Sequence, residues 1–284
     1  MTPLAAAATA QALAWARGYL LGRQCANGGF SFYRDEHLEE PSLHDTWHAL
    51  AALALLDERA PRREDLIHFI AGEPVVAQPY ALYFRVRSLA LLGHPDPQHA
   101  AVAAAAAALK TTLPVPGNAG DLIAHYHQRL YLLRLILWLK RNFGLAYPAL
   151  DLSQAILASR NDDGGFGLPS NLLATYQVLA ILALCDSPLP ADAGEFVAGL
   201  AAPGFGFRLT VDSIAPSLET TCAGISCCRR LGLPIRYASD ALAFLLACQT
   251  SSGGFARMPE ALPDILLSHL ALAGITALAV PLRS

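Results

Sequence analysis

Pro41-Ser42-Leu43-His44-Asp45-Thr46-Trp47 decides the fold, because its grammar returns three more times in the chain. Pro216-Ser217-Leu218-Glu219-Thr220-Thr221-Cys222 is the clearest copy. Ser170-Asn171-Leu172-Leu173-Ala174-Thr175-Tyr176 and Pro263-Asp264-Ile265-Leu266-Leu267-Ser268-His269 align to it without gaps. The second position is always Ser, Asn or Asp, side chains whose oxygen accepts an unpaired N–H in the first turn of a helix. The spacing therefore predicts four helices that start alike.

A second motif precedes these starts. Gln24-Cys-Ala-Asn-Gly-Gly-Phe30 and Gln249-Thr-Ser-Ser-Gly-Gly-Phe255 share the pattern Q-x-x-x-G-G-F, Arg160-Asn-Asp-Asp-Gly-Gly-Phe166 keeps it with Arg for Gln, and Gly204-Phe-Gly-Phe207 reads as a decayed copy. Paired glycines permit the left-handed backbone that stops a helix, and the Phe pins the loop to a core. Each unit is helix, Gly-Gly-Phe turn, loop, cap, helix. Gly204 lies 40 residues after Gly164 and 49 before Gly253, whereas Gly28 and Gly164 are 136 apart, room for about three units. Two units are thus hidden in the middle. Their helices are expected at Arg63 to Ala71, Pro79 to Leu92, His99 to Lys110 and Asp121 to Phe143, between Pro- and Gly-rich breakers.

No segment alternates with period two, so the class is all-α. About six helical pairs, with apolar inner helices such as Leu172 to Leu184 and more polar outer ones, can close into a toroid. Closure removes the need for the capping repeats of an open solenoid.

Composition narrows the partners. The 284 residues are 54% hydrophobic and 15% charged with a formal net charge of -3, which suits a large core and gives no basic footprint for nucleic acid. No basic residue precedes Arg17, so the start lacks a secretory signal's charged region. Six cysteines without a CxxC pair, four inside apolar helical runs, point to a reducing, cytoplasmic setting. The apolar run Ile265 to Leu282 reaches spanning length, but it begins inside a repeat and is read as a buried helix. Peripheral membrane contact stays open. Oligomeric state is not legible.

Together the two motifs resemble the repeat of the prenyltransferase and squalene-cyclase superfamily, found in protein prenyltransferase β subunits and class II terpene cyclases. The resemblance runs from about residue 11 to 280, weakest from 60 to 150. It implies an α6/α6 barrel, a single domain over 1–284, whose inner helices surround an apolar cavity for an isoprenoid, without a cofactor or resident metal in the reading preferred here. Class II cyclases carry a D-x-D-D-T acid motif at an inner-helix start. Laid on Ser42 to Thr46, Asp45 and Thr46 match while His44 takes the proton donor's place; laid on Ser217 to Thr221, the donor position holds Glu219. Asp45, Glu219 and His44 are the catalytic candidates. Trp47, His48, Tyr83, Phe84, Tyr126, Tyr176, Cys222 and His269 are candidate substrate-binding residues, and the aromatic faces among them would stabilise cations.

Each has a plainer explanation. Ser42 and Asp45 form a capping box, and Asp45 and Glu219 suit the positive end of a helix dipole. The zinc prenyltransferase reading needs three ligands and an open position. Cys222 matches one ligand, but Thr220 and Leu267 stand where an Asp and a His are needed, leaving Cys222 and His269 as equivalents in neighbouring copies. His44-Asp-Thr-Trp-His48 also has metalloprotease spacing, with no third ligand evident. Of Arg85 and Arg87, two apart on a helix, at most one faces the cavity; His125, Tyr126 and His127 fall in the weak middle. The preferred function is a single-domain class II terpene-cyclase-like enzyme that uses a carboxylic acid to protonate a prenyl chain in an apolar cavity; the competing functions are a non-catalytic isoprenoid- or lipid-binding barrel and a zinc-dependent protein prenyltransferase β-like subunit.

Overall fold

The computed structural model of the chain describes residues 3–34, 38–113 and 122–279. Among these, twelve helices run in the order α1 (Pro3–Leu21), α2 (Leu43–Leu55), α3 (Arg63–Gly72), α4 (Pro79–Leu91), α5 (His99–Ala108), α6 (Leu122–Asn142), α7 (Ala149–Ala158), α8 (Leu172–Leu184), α9 (Asp192–Gly199), α10 (Leu218–Leu231), α11 (Ala238–Ala247) and α12 (Ile265–Ala279). The even-numbered helices form the inner ring: each packs on the next, and α12 packs on α2 to close it. The odd-numbered helices lie outside, α1 spanning the join by touching both α2 and α12. This is the expected α6/α6 barrel, and the four hidden helices fall within two residues of their expected bounds.

All four repeated caps do what their chemistry dictates. Ser42 Oγ accepts the Asp45 N–H at 3.0 Å, Asn171 Oδ1 that of Ala174 at 2.9 Å, and Ser217 Oγ that of Thr220 at 3.2 Å. Asp264 Oδ1 accepts the N–H of Leu266 at 2.5 Å. The sixth position explains why the two motifs travel together. Thr46 Oγ1, Thr175 Oγ1 and Ser268 Oγ accept the backbone N–H of Phe30, Phe166 and Phe255 at 3.0, 3.2 and 2.9 Å. A buried N–H from the Gly-Gly-Phe turn is thereby paired by the helix that follows it.

The turn also contacts the next outer helix. Gly28 has φ +88°, and a Cβ there would lie 2.3 Å from Leu66 N on α3. Gly253 has φ +90°, and its Cβ would lie 2.4 Å from Trp15 O on α1. Gln24 Nε2 donates to Gly28 O and Pro61 O, and Gln249 Nε2 to Gly253 O and Ala12 O. The last repeat thus grips the first helix as earlier repeats grip their successors, so closure uses the ordinary repeat contact.

The decayed copy keeps the backbone and loses one bond. Arg208 N–H reaches Leu200 O at 2.9 Å, as Ser31 reaches Arg23 O and Ala256 reaches Cys248 O, which makes Phe207 the counterpart of Phe30 and Phe255. Thr221 Oγ1 instead donates to Phe205 O at 2.8 Å. Phe30, Phe166, Phe207 and Phe255 are all fully buried. The turns add two short antiparallel pairs that the absence of alternation hid, β1 (Ala201–Ala202) with β2 (Gly206–Phe207) and β3 (Phe255–Ala256) with β4 (Pro263–Asp264). Two residues per strand are too few to show a period. No described helix is long and apolar enough to cross a membrane, and the run expected from Ile265 becomes the fifteen-residue α12 of the inner ring.

Candidate functional site: an arginine-lined cavity in the ring

A cavity of about 360 Å³ opens inside the inner ring, lined by Trp47, Tyr83, Arg87, Arg134, Trp138, Arg141, Tyr176, Ala180, Ala183, Leu184 and Arg230. Its direction follows from helix positions. Trp47 and Tyr83 lie in the second turns of α2 and α4 and are buried, whereas Arg141, Leu184 and Arg230 lie in the last turns of α6, α8 and α10. Ala183 and Arg230 are exposed. The mouth is therefore at the C-terminal ends of the inner helices and the floor near their N-terminal ends.

Four arginines meet in this space. Arg141 has a structural occupation: its Nη1 donates to Leu184 O at 2.9 Å and pairs with Asp186 at 3.0 Å, compensating a helix C-terminus. Arg230 sits in the last turn of α10, where a cation likewise suits the dipole. Arg87 and Arg134 lie deeper and have no carboxylate partner among the described residues. The Arg87 guanidinium is 4.8, 5.3 and 5.5 Å from the ring centroids of Trp47, Trp138 and Tyr83, and its Nη1 donates to Tyr83 Oη at 2.8 Å. Arg134 stands 4.8 Å from the Tyr131 ring and 5.4 Å from Tyr176. Aromatic faces hold a cation with about 0.5–2 kcal/mol without neutralising it. The cavity thus presents two fixed positive charges in an aromatic wall.

The floor is a chain of rings across the barrel. Trp47 packs on His269 of α12 (5.2 Å between centroids), on His48 (4.5 Å) and on Phe84 of α4 (5.5 Å); Phe84 stacks on Tyr80, and Tyr80 meets Tyr131 of α6. His48 Nδ1 and His269 Nδ1 are 2.9 Å apart. One imidazole donates and the other accepts, so both cannot be charged. Burial holds His48 well below the ordinary histidine value and brings His269 down to about 4, with the positive field of Arg87 adding to both.

The structure separates the sequence candidates into groups. Trp47, Tyr83 and Tyr176 line the cavity. Phe84, His48 and His269 form the floor beneath it, and His44 lies against His48 and Phe84. Tyr126 is buried elsewhere, in an apolar cluster with Leu130, Ile156 and Phe166. Asp45 is in the first turn of α2: Oδ2 accepts Phe32 N–H at 3.1 Å and Oδ1 meets His44 Nδ1 at 3.0 Å. Glu219 pairs with the exposed Arg257 at 2.8 Å. Neither carboxylate is among the lining residues. Arg87 faces the cavity while Arg85 turns outward to Asp96, as their separation requires. The side chain of His125 lies outside the described residues.

Cys222, Glu219 and His269 do not form a group that could hold a metal ion. Cys222 Sγ donates to Leu270 O at 3.2 Å, and burial pushes its thiol up, away from the thiolate that binds metal. Among the described residues no group of three or more His, Cys, Asp or Glu is arranged to hold a metal ion. The sequence missed Arg134, Trp138, Arg141 and Arg230. The first two sit in the middle units, where no cap motif sets the register; the others look like dipole compensation. The cap residue Asp264 is half-buried. Burial raises Asp264 above the usual carboxylate value, with its two backbone N–H bonds opposing and Asp45 nearby contributing.

Part of the sequence, and the fold as a whole, are similar to known proteins. Residues 5–76 and 225–281 match the prenyltransferase alpha-alpha toroid domain. No curated protein sequence matches the chain. Solved structures of similar fold include a variant of the type II terpene cyclase MstE from Scytonema with geranylgeranyl dihydroxybenzoate as substrate, at TM-score 0.60 and 11% identity over 98% of both chains. Protein geranylgeranyltransferase-I of Candida albicans, complexed with GGPP, is similar at TM-score 0.57 and 18% identity over 82% of this chain and 83% of that one. A protein from Actinoplanes is similar at TM-score 0.57 and 15% identity, over 95% of this chain and 98% of its own. The fold places the chain among the α/α toroids to which its repeats pointed.

Proposed function

We propose that the barrel binds an isoprenoid that carries an anionic head group. The observation that carries this reading is the pair Arg87 and Arg134, cavity-lining cations with aromatic but no carboxylate partners among the described residues. Aromatic walls suit a polyunsaturated hydrocarbon, and guanidinium groups suit a diphosphate or carboxylate through charge-assisted hydrogen bonds. Two structural neighbours are described with geranylgeranyl compounds, which supports the same ligand class. The inner-helix C-termini at the mouth disfavour an anion, which leaves Arg87 and Arg134, deeper in the cavity, as its site. Among the described residues the lining offers groups for recognition and no carboxylate, thiol or imidazole.

The second reading is proton-initiated cyclisation with Asp45, Glu219 or His44 as donor. The carboxyl cluster of Asp45 and the raised Asp264 near His44 favours it, since a proton donor needs a carboxyl held neutral. The cavity charges oppose it: at an effective dielectric of about 20, each guanidinium about 8 Å from a carbocation costs roughly 2 kcal/mol.

The test compares prenyl diphosphates of ten to twenty carbons with the matching prenyl alcohols by calorimetry. The best-bound diphosphate should exceed its alcohol at least tenfold, and Arg87→Met or Arg134→Met should remove that advantage, as expected for losing about 1.5–3 kcal/mol per charged hydrogen bond. Equal affinity for alcohol and diphosphate overturns the head-group assignment. Cyclised product lost in Asp45→Asn, Glu219→Gln or Asp264→Asn would move the conclusion to the second reading.

A further inference from the structure

The four cavity arginines stand at two levels. Arg134 and Arg141 are seven residues apart on α6, roughly 10 Å at a rise of ~1.5 Å per residue. Arg141 and Arg230 are exposed at the mouth, whereas Arg87 and Arg134 are half-buried below them. From the deeper level upward the wall is otherwise apolar, made by Trp138 on α6 and by Ala180, Ala183 and Leu184 on α8.

The deeper level is a set of donors. The Trp47 indole N–H is buried and has no hydrogen-bond partner among the described residues. Trp47 is 7% exposed and lines the cavity beside Arg87, whose guanidinium stands 4.8 Å from its ring. Buried donors are paired as a rule, so an unpaired one in a cavity wall marks a place for an acceptor. Tyr83 Oη accepts from Arg87 Nη1 at 2.8 Å, which leaves its own proton to donate. An oxyanion, with several lone pairs, answers all of these groups together.

Volume sets how much of the chain follows. At about 30 Å³ per heavy atom, the share of one water in the liquid, the 360 Å³ cavity holds on the order of a dozen atoms. A diphosphate accounts for nine and each isoprene unit adds five. With the head on the deep donors, the enclosed hydrocarbon is about one isoprene unit, packed against Trp138 and Ala180.

Resting on the reading that an anionic isoprenoid enters this cavity, we infer that it enters head first: the Trp47 indole N–H joins Arg87 and Arg134 in the head-group seat, and the chain beyond its first isoprene unit leaves through the mouth. The ligand class is prenyl diphosphates without regard to length, those substituted at the tail end included. This direction carries the tail away from His44, Asp45 and Asp264 at the N-terminal ends of α2 and α12.

Calorimetry on the intact chain compares geranyl diphosphate with geraniol, with geranylgeranyl diphosphate and with a geranyl diphosphate bearing a biphenyl ether at its tail end. The three diphosphates should bind within about threefold of one another, since they differ only outside the cavity. Trp47→Phe keeps a ring and removes the N–H; it should cost the diphosphates about tenfold and leave geraniol unchanged. A tenfold or greater loss for the biphenyl-tailed ligand, while geranyl diphosphate still outbinds geraniol, makes the tail the enclosed end. That result overturns the inference and leaves the head-group reading standing. Geraniol binding as tightly as its diphosphate overturns that reading and the inference with it. An equal fall of alcohol and diphosphate in Trp47→Phe overturns the place of Trp47 in the seat, and should that variant not fold, the wild-type comparison of tails decides the direction.

Discussion

At the scale of single residues, the chain spends its polar side chains on backbone groups that would otherwise be stranded. Thr175 is fully buried; its hydroxyl donates to Asn171 O at 2.9 Å and accepts the Phe166 N–H. Valine is nearly isosteric, so Thr175→Val keeps the packing and leaves that N–H unpaired, which costs about 1–3 kcal/mol. Urea denaturation should show the loss, with Thr175→Ser restoring most of it; an unchanged midpoint would mean that the turn finds another acceptor. The sequence showed this position repeated as Thr46, Thr175, Thr221 and Ser268 before it showed why. Its partner is 9 to 16 residues upstream in three of the copies, a separation that no local propensity records.

At the scale of elements, Arg85 fastens an outer helix to an inner one. Its Nε and Nη2 form a two-pronged pair with Asp96 at 2.6 and 2.9 Å, while Nη1 and Nη2 cap Ile70 O, Ala71 O and Glu73 O at the end of α3. Burial alone would raise the Asp96 carboxyl, but the Arg85 hydrogen bond and the Gln98 N–H bring it below the usual value. A depressed carboxylate contributes stability that is present above its unfolded value and lost as pH falls through the folded one. Asp96→Asn should therefore destabilise the fold by about 3–5 kcal/mol at neutral pH, the cost of stranding a buried guanidinium. The deficit should shrink in acid; a deficit independent of pH down to the unfolding limit would contradict the ion-pair account. Helices and breakers in this region were legible from Pro and Gly alone, and the two-residue separation already showed that Arg85 and Arg87 go to opposite sides. Which side was the cavity was not legible, since α4 and α6 lack the cap signature that sets the register elsewhere. For the same reason Arg134 and Trp138 went unseen, while Trp47 and Tyr176, at the seventh position of the cap register, were found.

At the scale of the whole molecule, closing the ring was written into the repeat, but the join between its first and last inner helices has chemistry of its own. There His48 of α2 meets His269 of α12 at 2.9 Å, and His48 Nε2 is buried without a partner among the described residues. Burial lowers His48 most, and His269, His44, Arg87 and Arg134 lower it further; burial and Arg87 lower His269. Both imidazoles are consequently held neutral, with His269 at about 4 against about 6.5 in the unfolded chain. The sign follows directly. Between these values the unfolded chain binds the proton and the folded chain does not, so stability falls as pH drops from about 6.5 toward 4 and is fully present above that range. At pH 5.5 the loss is about 1 kcal/mol for each histidine so displaced. Urea midpoints at pH 7.5 and 5.5 measure it, a window in which ordinary carboxylates stay ionised. The double variant His48→Gln with His269→Gln keeps a donor and an acceptor at the join but cannot take up a proton. Its midpoint should fall less than that of wild type over the same interval; equal falls would place the acid sensitivity of this barrel somewhere other than the join of α2 and α12.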